Sequence, residues 1–247
     1  MDWKEVIKPW TDAVTQWECG KTEKYIFPGD EDAIKKYQDK YKDTEYGLQL
    51  HLPPHPFAGN PYAPIWVINL NPGYNPGDEI DFTGGKGFEY SIKQLMGEVD
   101  CNYFLHLPDH GNGACNWWKK YLLSQDICNG DTAIADKFFS LDYFPYQSKK
   151  YKDPGKDFES TKLFKKIIAW GIERKVLFLI MRNKKKIDSM LKDEIEKKNI
   201  NIMYAASQAS WISLGNLCTP EQYCRIEREK EKNMEENQQV IEQFLKR

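Results

Sequence analysis

The sequence of 247 residues lacks closely spaced cysteines, long apolar runs and a large excess of either charge. Its six cysteines include no CxxC pair, which disfavours a disulfide scaffold, a zinc site and an iron–sulfur cluster. We therefore expect free thiols and no cofactor, with a metal site assembled from distant cysteines as the alternative. No stretch approaches the ~20 apolar residues that a membrane-spanning helix needs. The N-terminal segment also lacks the apolar core of a signal peptide, so a cytoplasmic protein without membrane contact is predicted.

The charges nearly balance, with 35 lysines and arginines against 37 aspartates and glutamates. A protein that coats nucleic acid through overall positive charge is therefore excluded, because phosphate binding needs clustered cations. A local basic groove is still compatible with this composition. The chain is 40% apolar and 29% charged, which favours a folded chain over a disordered one.

Short apolar runs separated by helical patterns define the predicted fold. The runs predict four strands at residues 65–68, 138–144, 175–181 and 200–205. Their alternation with amphipathic helices predicts an α/β protein, with a central, mostly parallel four-stranded sheet in a three-layer α/β/α arrangement. We expect a single domain over 1–247, made of an N-terminal helical embellishment (1–50), a sheet core with the site loops (56–216) and a C-terminal helix (217–247).

Polar loops rich in small residues follow all four predicted strands. Ligands of parallel α/β sheets bind beyond the C-terminal ends of the strands, so these loops predict the site. The first loop matches neither GxGxxG nor GxxxxGK[ST], which disfavours dinucleotide and P-loop nucleotide binding. It places Asn69 and Asn71 on either side of one apolar residue. An asparagine at a strand end can orient a water molecule, and Gly73 allows a ligand to approach closely, although a plain turn is the alternative.

The first loop carries a family resemblance. Its residues Asn69-Leu70-Asn71-Pro72-Gly73 are similar to the G-x-N-P-G motif of the mismatch-specific and single-strand-selective branches of the uracil-DNA glycosylase superfamily. That superfamily has a four-stranded parallel sheet between helices. The upstream segment 56–64 also resembles the proline-rich segment of bacterial members whose substrate is unknown. Asn69 stands where the family motif has glycine.

Two later segments follow the family order along the chain. Residues 141–145 are similar to the H-N-x-C-P strand of the single-strand-selective branch, with Asp142 in place of the asparagine that reads the base edge. Residues 206–213 occupy the place of the [HN]-P-S-x-x-S motif, but they contain no histidine and no Asn-Pro. An ionised aspartate only accepts hydrogen bonds, so Asp142 predicts a base with an exocyclic amine and disfavours uracil.

The resemblance implies hydrolysis of the N-glycosidic bond of a flipped or single-stranded nucleotide, with nucleic acid or a nucleotide as partner. Asn71 would position the attacking water. Tyr74 or Phe88 would stack on the base, and Arg182 with the lysines at 184–186 would contact phosphate, unless that run is only a solvated helix start. The predicted substrate-binding residues are Asn69, Gly73, Tyr74, Phe88, Asp142, Tyr143, Pro145, Arg182, Ser207, Gln208 and Ser213.

Two other functions are compatible with the sequence. One is a catalytically silent protein of the same fold that binds a nucleotide or nucleobase. The other is a protein-interaction role for the C-terminal helix, whose apolar side comprises Val240, Ile241, Phe244 and Leu245. The four histidines, at 51, 55, 106 and 110, are predicted to lie on the surface or to anchor loops. The Ser-rich loop at 206–216 is equally compatible with an ordinary connection.

Overall fold

A mixed α/β architecture is built around one six-stranded sheet. The computed structural model describes residues 2–20, 23–99, 101–106, 113–197, 199–207, 211–223 and 230–246. The strands are β1 (Phe57–Ala58), β2 (Ile65–Asn69), β3 (Phe138–Asp142), β4 (Leu177–Ile180), β5 (Asn201–Ala205) and β6 (Leu217–Cys218). The helices are α1 (Trp3–Val6), α2 (Lys8–Gly20), α3 (Glu31–Tyr41), α4 (Glu79–Gly84), α5 (Lys86–Leu95), α6 (Tyr103–His106), α7 (Gly113–Trp118), α8 (Thr132–Ala135), α9 (Glu159–Glu173), α10 (Lys184–Met190), α11 (Lys192–Glu196), α12 (Pro220–Tyr223) and α13 (Lys230–Leu245).

The sheet order is β1-β3-β2-β4-β5-β6. The pairs β3–β2, β2–β4 and β4–β5 are parallel, whereas β1 pairs antiparallel with β3 and β6 pairs antiparallel with β5. The predicted α/β class is confirmed and each predicted strand is present, but the predicted count of four strands is wrong. The two additional edge strands have two residues each, and so short a run carries no periodicity that a sequence could display.

Hydrophobic clusters cover both faces of the sheet. Trp66 and Phe178 point to one face and pack with α1, α2, α3 and α9. Val67 and Leu179, the next residues along each strand, point to the other face and pack with residues of α4, α6, α7 and α13. Burial on both faces explains why β2 and β4 are apolar at nearly every position.

Both ends of the chain join these clusters. In the N-terminal segment, Trp3 and Trp10 are 3% and 1% exposed, and the Trp3 ring lies 5.1 Å from that of Phe57. At the other end, Ile241 and Phe244 are 2% and 4% exposed. The predicted interaction stripe on the C-terminal helix is therefore wrong, because its apolar side is used by the protein's own core. None of the helices in the described ranges is long and apolar enough to cross a membrane.

Candidate functional site

A cavity of about 680 Å³ opens at the C-terminal ends of β2 and β3. It is bounded by the segments 69–75 and 147–151, by Arg182 beyond β4, and by residues of α4, α6 and α7. The chain passes from one side of β2 to the other between β3 and β4, so the loops that follow these strands meet here. Such a change of direction in an α/β sheet is the usual place for a ligand.

Strand register brings two predicted site residues side by side. Asn69 and Asp142 are partners across the parallel pair β2–β3. Because side chains alternate along a strand, both belong to the face that carries Val67 and Phe138, and both line the cavity. Asn69 Nδ2 donates to Ser140 Oγ at 3.2 Å, which holds the Asn69 amide against the neighbouring strand.

The amide of Asn71 is held in one orientation by Ser148. The Ser148 hydroxyl donates its proton to the carbonyl of Lys150 at 3.0 Å, so towards Asn71 it can only accept. It accepts from Asn71 Nδ2 at 3.0 Å, and the same nitrogen donates to the Pro72 carbonyl at 3.0 Å. The amide oxygen of Asn71 consequently has no protein donor among the described residues and can accept a hydrogen bond from water or a ligand.

The loop after β2 is fixed by contacts with distant segments. Tyr74 N donates to the Ser148 carbonyl at 3.1 Å, and the Tyr74 hydroxyl donates to Glu79 at 2.7 Å. His51 lies 2.8 Å from the other Glu79 oxygen, and the hydrogen bonds from Tyr74 and His51 lower the pKa of Glu79. Gly73 lines the cavity, and a Cβ atom added to it would meet nothing within 4 Å. The loop is thus ordered by its neighbours while Gly73 leaves open space beside the cavity.

Asp142 is a carboxylic acid in a shielded place. It lines the cavity, and its carboxyl group has no hydrogen-bond or ion-pair partner among the described residues. Desolvation by the surrounding protein raises the pKa of Asp142 well above its usual range. A neutral carboxyl group offers one donor and one acceptor, as an asparagine amide does. Desolvation therefore favours the neutral acid, in contrast to the ionised Asp142 that the sequence predicts, and this direction weakens the specific objection to uracil.

Asp142→Asn is expected to raise the melting temperature above that of the wild type at about pH 8 and to change it little at about pH 4. The folded protein holds the Asp142 proton more tightly than the unfolded chain does. Wild-type stability therefore falls as the pH rises above the usual Asp pKa of about 3.9 and through the raised folded pKa. Asparagine has no proton to lose. Thermal unfolding of both proteins across this pH range measures the difference.

Asp39→Asn is the matched control, because Asp39 is exposed on α3. Its effect on the melting temperature should not grow between acidic and alkaline pH. A difference between wild type and Asp142→Asn that stays constant with pH, or a less stable variant at alkaline pH, would contradict a neutral Asp142.

The cavity has an aromatic wall and a basic rim. The wall is formed by Phe82, Phe104, Trp117 and Trp118. Lys149, Lys150 and Arg182 also line the cavity, and all three are exposed. Lys150 is paired with Glu45 at 2.6 Å. An apolar, aromatic interior with a cationic rim suits a planar ring attached to an anionic group.

Several predicted site residues lie elsewhere. Phe88 belongs to a separate groove beside α2, with its ring 5.8 Å from that of Tyr25. Tyr143 is buried on the other face of the sheet against Phe164, because it follows Asp142 and side chains alternate. Pro145 is buried, and its carbonyl accepts from His55 N at 2.8 Å. The structure does not bring these three predicted residues to the cavity, although Pro145 supports a residue that lines it.

The described ends of the loop at 206–216 contact each other. Ser207 N and Oγ both donate to Asn216 Oδ1, at 3.1 and 2.7 Å. The Ser213 carbonyl accepts from Asn216 N at 3.0 Å. Neither serine lines the cavity, which corrects their predicted ligand contacts and agrees with an ordinary connection. Gln208 lies outside the described residues.

Two of the four cations in the predicted phosphate-binding run form ion pairs. Lys184 pairs with Asp188, and Lys186 pairs with Asp153 at 2.5 Å. Among the basic residues at 182–186, Arg182 alone lines the cavity. The structure therefore brings together Asn69, Asn71, Gly73, Tyr74, Asp142 and Arg182 of the predicted residues.

His55 and Ser148 line the cavity and were missed as site residues. The sequence predicts that His55 lies on the surface or anchors a loop, and its backbone does anchor the loop to Pro145. Its ring, however, packs between Phe82 and Phe104 at the cavity wall. The one sequence feature that could have indicated His55 as a site residue is its proline-rich surroundings, because they predict an ordered loop.

Comparison with protein-family models, with curated proteins and with solved structures finds no match for this chain. Inferences about function therefore depend on the residues and geometry of the cavity.

Proposed function

We propose that this protein binds a nucleobase in the cavity beside β2 and β3 and hydrolyses its N-glycosidic bond with a water molecule held by Asn71. The supporting observation is that Asn71 and Asp142 converge on one aromatic-walled cavity, with the Asn71 amide oxygen left as an acceptor. The strand-end motif, the parallel central strands and the helices on both faces fit a three-layer α/β/α glycosylase of the uracil-DNA glycosylase type.

The chemistry requires few protein groups. A water molecule donates one hydrogen bond to the Asn71 amide oxygen and directs a lone pair at C1′ of the sugar. The water oxygen bonds to C1′ while the C1′–N bond breaks, and the bonding electron pair leaves on the base. The proton lost by the water neutralises the departing base. Asp142, as a neutral acid, can donate to the base and disperse that negative charge.

Nucleic acid or a nucleotide is the proposed partner. The cavity of about 680 Å³ accepts one base but not a base pair within a duplex, so the base would enter single-stranded or flipped out. The exposed cations at the rim, Lys149 and Arg182 among them, lie where phosphates flanking that base would pass. A local basic rim is compatible with the overall charge of −2.

A second candidate is a silent nucleobase-binding protein with the same cavity. It is favoured by the loop at 206–216, which contains no histidine to stabilise a departing base. The Ser207 hydroxyl of that loop is also occupied by Asn216. Such a protein would bind a base or nucleotide without releasing anything from nucleic acid.

Base release from oligonucleotides tests the proposal. Single- and double-stranded oligonucleotides carrying uracil, hypoxanthine, xanthine or alkylated bases are incubated with the protein and then cleaved at abasic sites with alkali. Strand breaks with the wild type, and far fewer with Asn71→Ala, are the expected result. Binding without breaks on any substrate would favour the silent protein, and neither breaks nor binding would contradict both functions.

A further inference from the structure

His55 lies close to Asp142 on the wall of the cavity. The backbone hydrogen bonds Asp142 N to Pro56 O and His55 N to Pro145 O, both 2.8 Å, join the two segments. The His55 ring packs edge-on against Phe82, with centroids 5.0 Å apart. Both residues line the cavity, so both are available to a base bound there.

A chain of hydrogen bonds fixes the tautomer of His55. Ser91 Oγ lies 2.6 Å from the Gly87 carbonyl and 2.6 Å from His55 Nε2. A carbonyl can only accept, so the single Ser91 proton is donated to Gly87. His55 Nε2 must then carry the proton that it shares with Ser91. Nδ1 is left unprotonated, with no hydrogen-bond partner in the part of the chain that the structure describes.

Burial keeps this arrangement in place at neutral pH. Desolvation lowers the pKa of His55 to about 4, so the ring is neutral. No acidic side chain among the described residues pairs with it. Its ring contacts Ser91, Phe82 and Phe104. The charged or acidic residues that line the same cavity are Asp142, Lys149, Lys150 and Arg182. At neutral pH Nδ1 therefore stays an acceptor on a residue that lines the cavity.

We propose that His55 selects a base that carries an exocyclic amino group, because His55 Nδ1 accepts a hydrogen bond from that group. This inference rests on the nucleobase site proposed above. An amino group has two N–H donors. One can bind the carbonyl oxygen of Asp142, while the Asp142 hydroxyl donates to the adjacent ring nitrogen of the base. The other reaches His55. A carbonyl oxygen in the same position would instead meet the lone pair of Nδ1, and two acceptors repel.

Pairs of bases that differ by one amino group test this selection. Adenine is compared with purine, and cytosine with pyrimidin-2-one, by calorimetric titration of the full chain at neutral pH. The wild type should bind the amino member of each pair about tenfold more tightly, the effect of roughly one good hydrogen bond and one avoided repulsion. His55→Phe keeps the ring packing and should lose the part of the preference that His55 supplies, so that only the contribution of Asp142 remains.

Two further variants separate recognition from folding. His55→Asn places an oxygen near the former Nδ1 position and should restore part of the preference for the amino member. Tyr62→Phe is the control, since Tyr62 is exposed, binds Asp2 outside the cavity and should leave the preference intact. Melting curves confirm that each variant is folded before titration.

Each result bears on the inference. A wild type that binds both members of a pair equally, or prefers the member without the amino group, would overturn the selection by His55 and leave the nucleobase site standing. An unchanged preference in His55→Phe would also overturn it. If no base binds at all, both this inference and the proposed nucleobase site fail.

Discussion

Asn71→Ala is expected to slow base release by about 10²–10⁴-fold, the usual effect of removing a side chain that handles the attacking water. The amide oxygen of Asn71 has no donor among the described residues, so its place in the mechanism is to accept from that water. Binding of the base should change much less, because other residues form the aromatic wall. Single-turnover base release, with affinity measured separately, distinguishes the two effects.

Two variants sharpen this prediction. Ser148→Ala removes the acceptor that orients the Asn71 amide, so it should slow base release by a smaller factor while Asn71 is still present. Asn201→Ala is the control, since Asn201 begins β5 at the opposite end of the sheet and binds Lys175 O. Equal rates for wild type and Asn71→Ala would remove Asn71 from the chemistry.

Gly73→Leu is expected to abolish or strongly weaken binding of the base while the melting temperature stays within a few degrees of the wild type. A Cβ at Gly73 meets no protein atom within 4 Å, and its backbone is not in the left-handed region, so the protein itself tolerates a side chain there. The new side chain would occupy space beside the cavity that a ligand needs. A loss of affinity of at least about tenfold corresponds to about 1.4 kcal/mol.

Gly84→Leu is a matched control for this substitution. A Cβ at Gly84 also meets nothing within 4 Å, but Gly84 ends α4 and does not line the cavity. Affinity should be unchanged in this variant. If Gly73→Leu binds as the wild type does, ligand does not approach the loop after β2 and the proposed site is misplaced.

The fold was predictable wherever burial made the sequence periodic. The segments β2 and β4 are apolar because both faces of the sheet are covered, and that pattern located them to within a few residues. The prediction for β3 ran two residues too far, to 144, because Tyr143 and Phe144 are buried after the strand has ended. Apolar residues indicate where the chain is buried, and here the chain stays buried beyond the last residue that pairs in β3. The apolar pattern therefore does not mark the end of the strand.

The site residues that lie at the ends of strands were predictable from the sequence. Asn69 and Asp142 were predictable because each lies at the C-terminal end of one of two neighbouring parallel strands. Ser148 and His55 were not predictable as site residues. Their contacts, with Asn71 and Ser91, join residues 77 and 36 positions apart in the chain. The predicted contact of Tyr143 overlooked the alternation of side chains, which excludes adjacent residues from one face of a strand.

Protonation was the chemical feature that the sequence could not supply. An aspartate in a peptide is ionised at neutral pH, and the sequence analysis treated Asp142 in that way. Its actual state depends on desolvation by residues far away in the chain. The hydrogen-bonding pattern offered to a ligand therefore emerged only with the folded cavity.

Fluorine NMR of 5-fluorotryptophan protein tests most directly whether this cavity is a nucleobase site. The chain has eight tryptophans, of which Trp117 and Trp118 line the cavity and Trp17 lines the separate groove beside α2. Resonances are assigned with Trp→Phe variants, and adenine, cytosine, uracil and hypoxanthine are titrated in turn. We predict that at least one base shifts the signals of Trp117 and Trp118, saturably, and leaves those of the other tryptophans in place. No saturable shift with any base, or shifts confined to tryptophans outside the cavity, would contradict the proposed site.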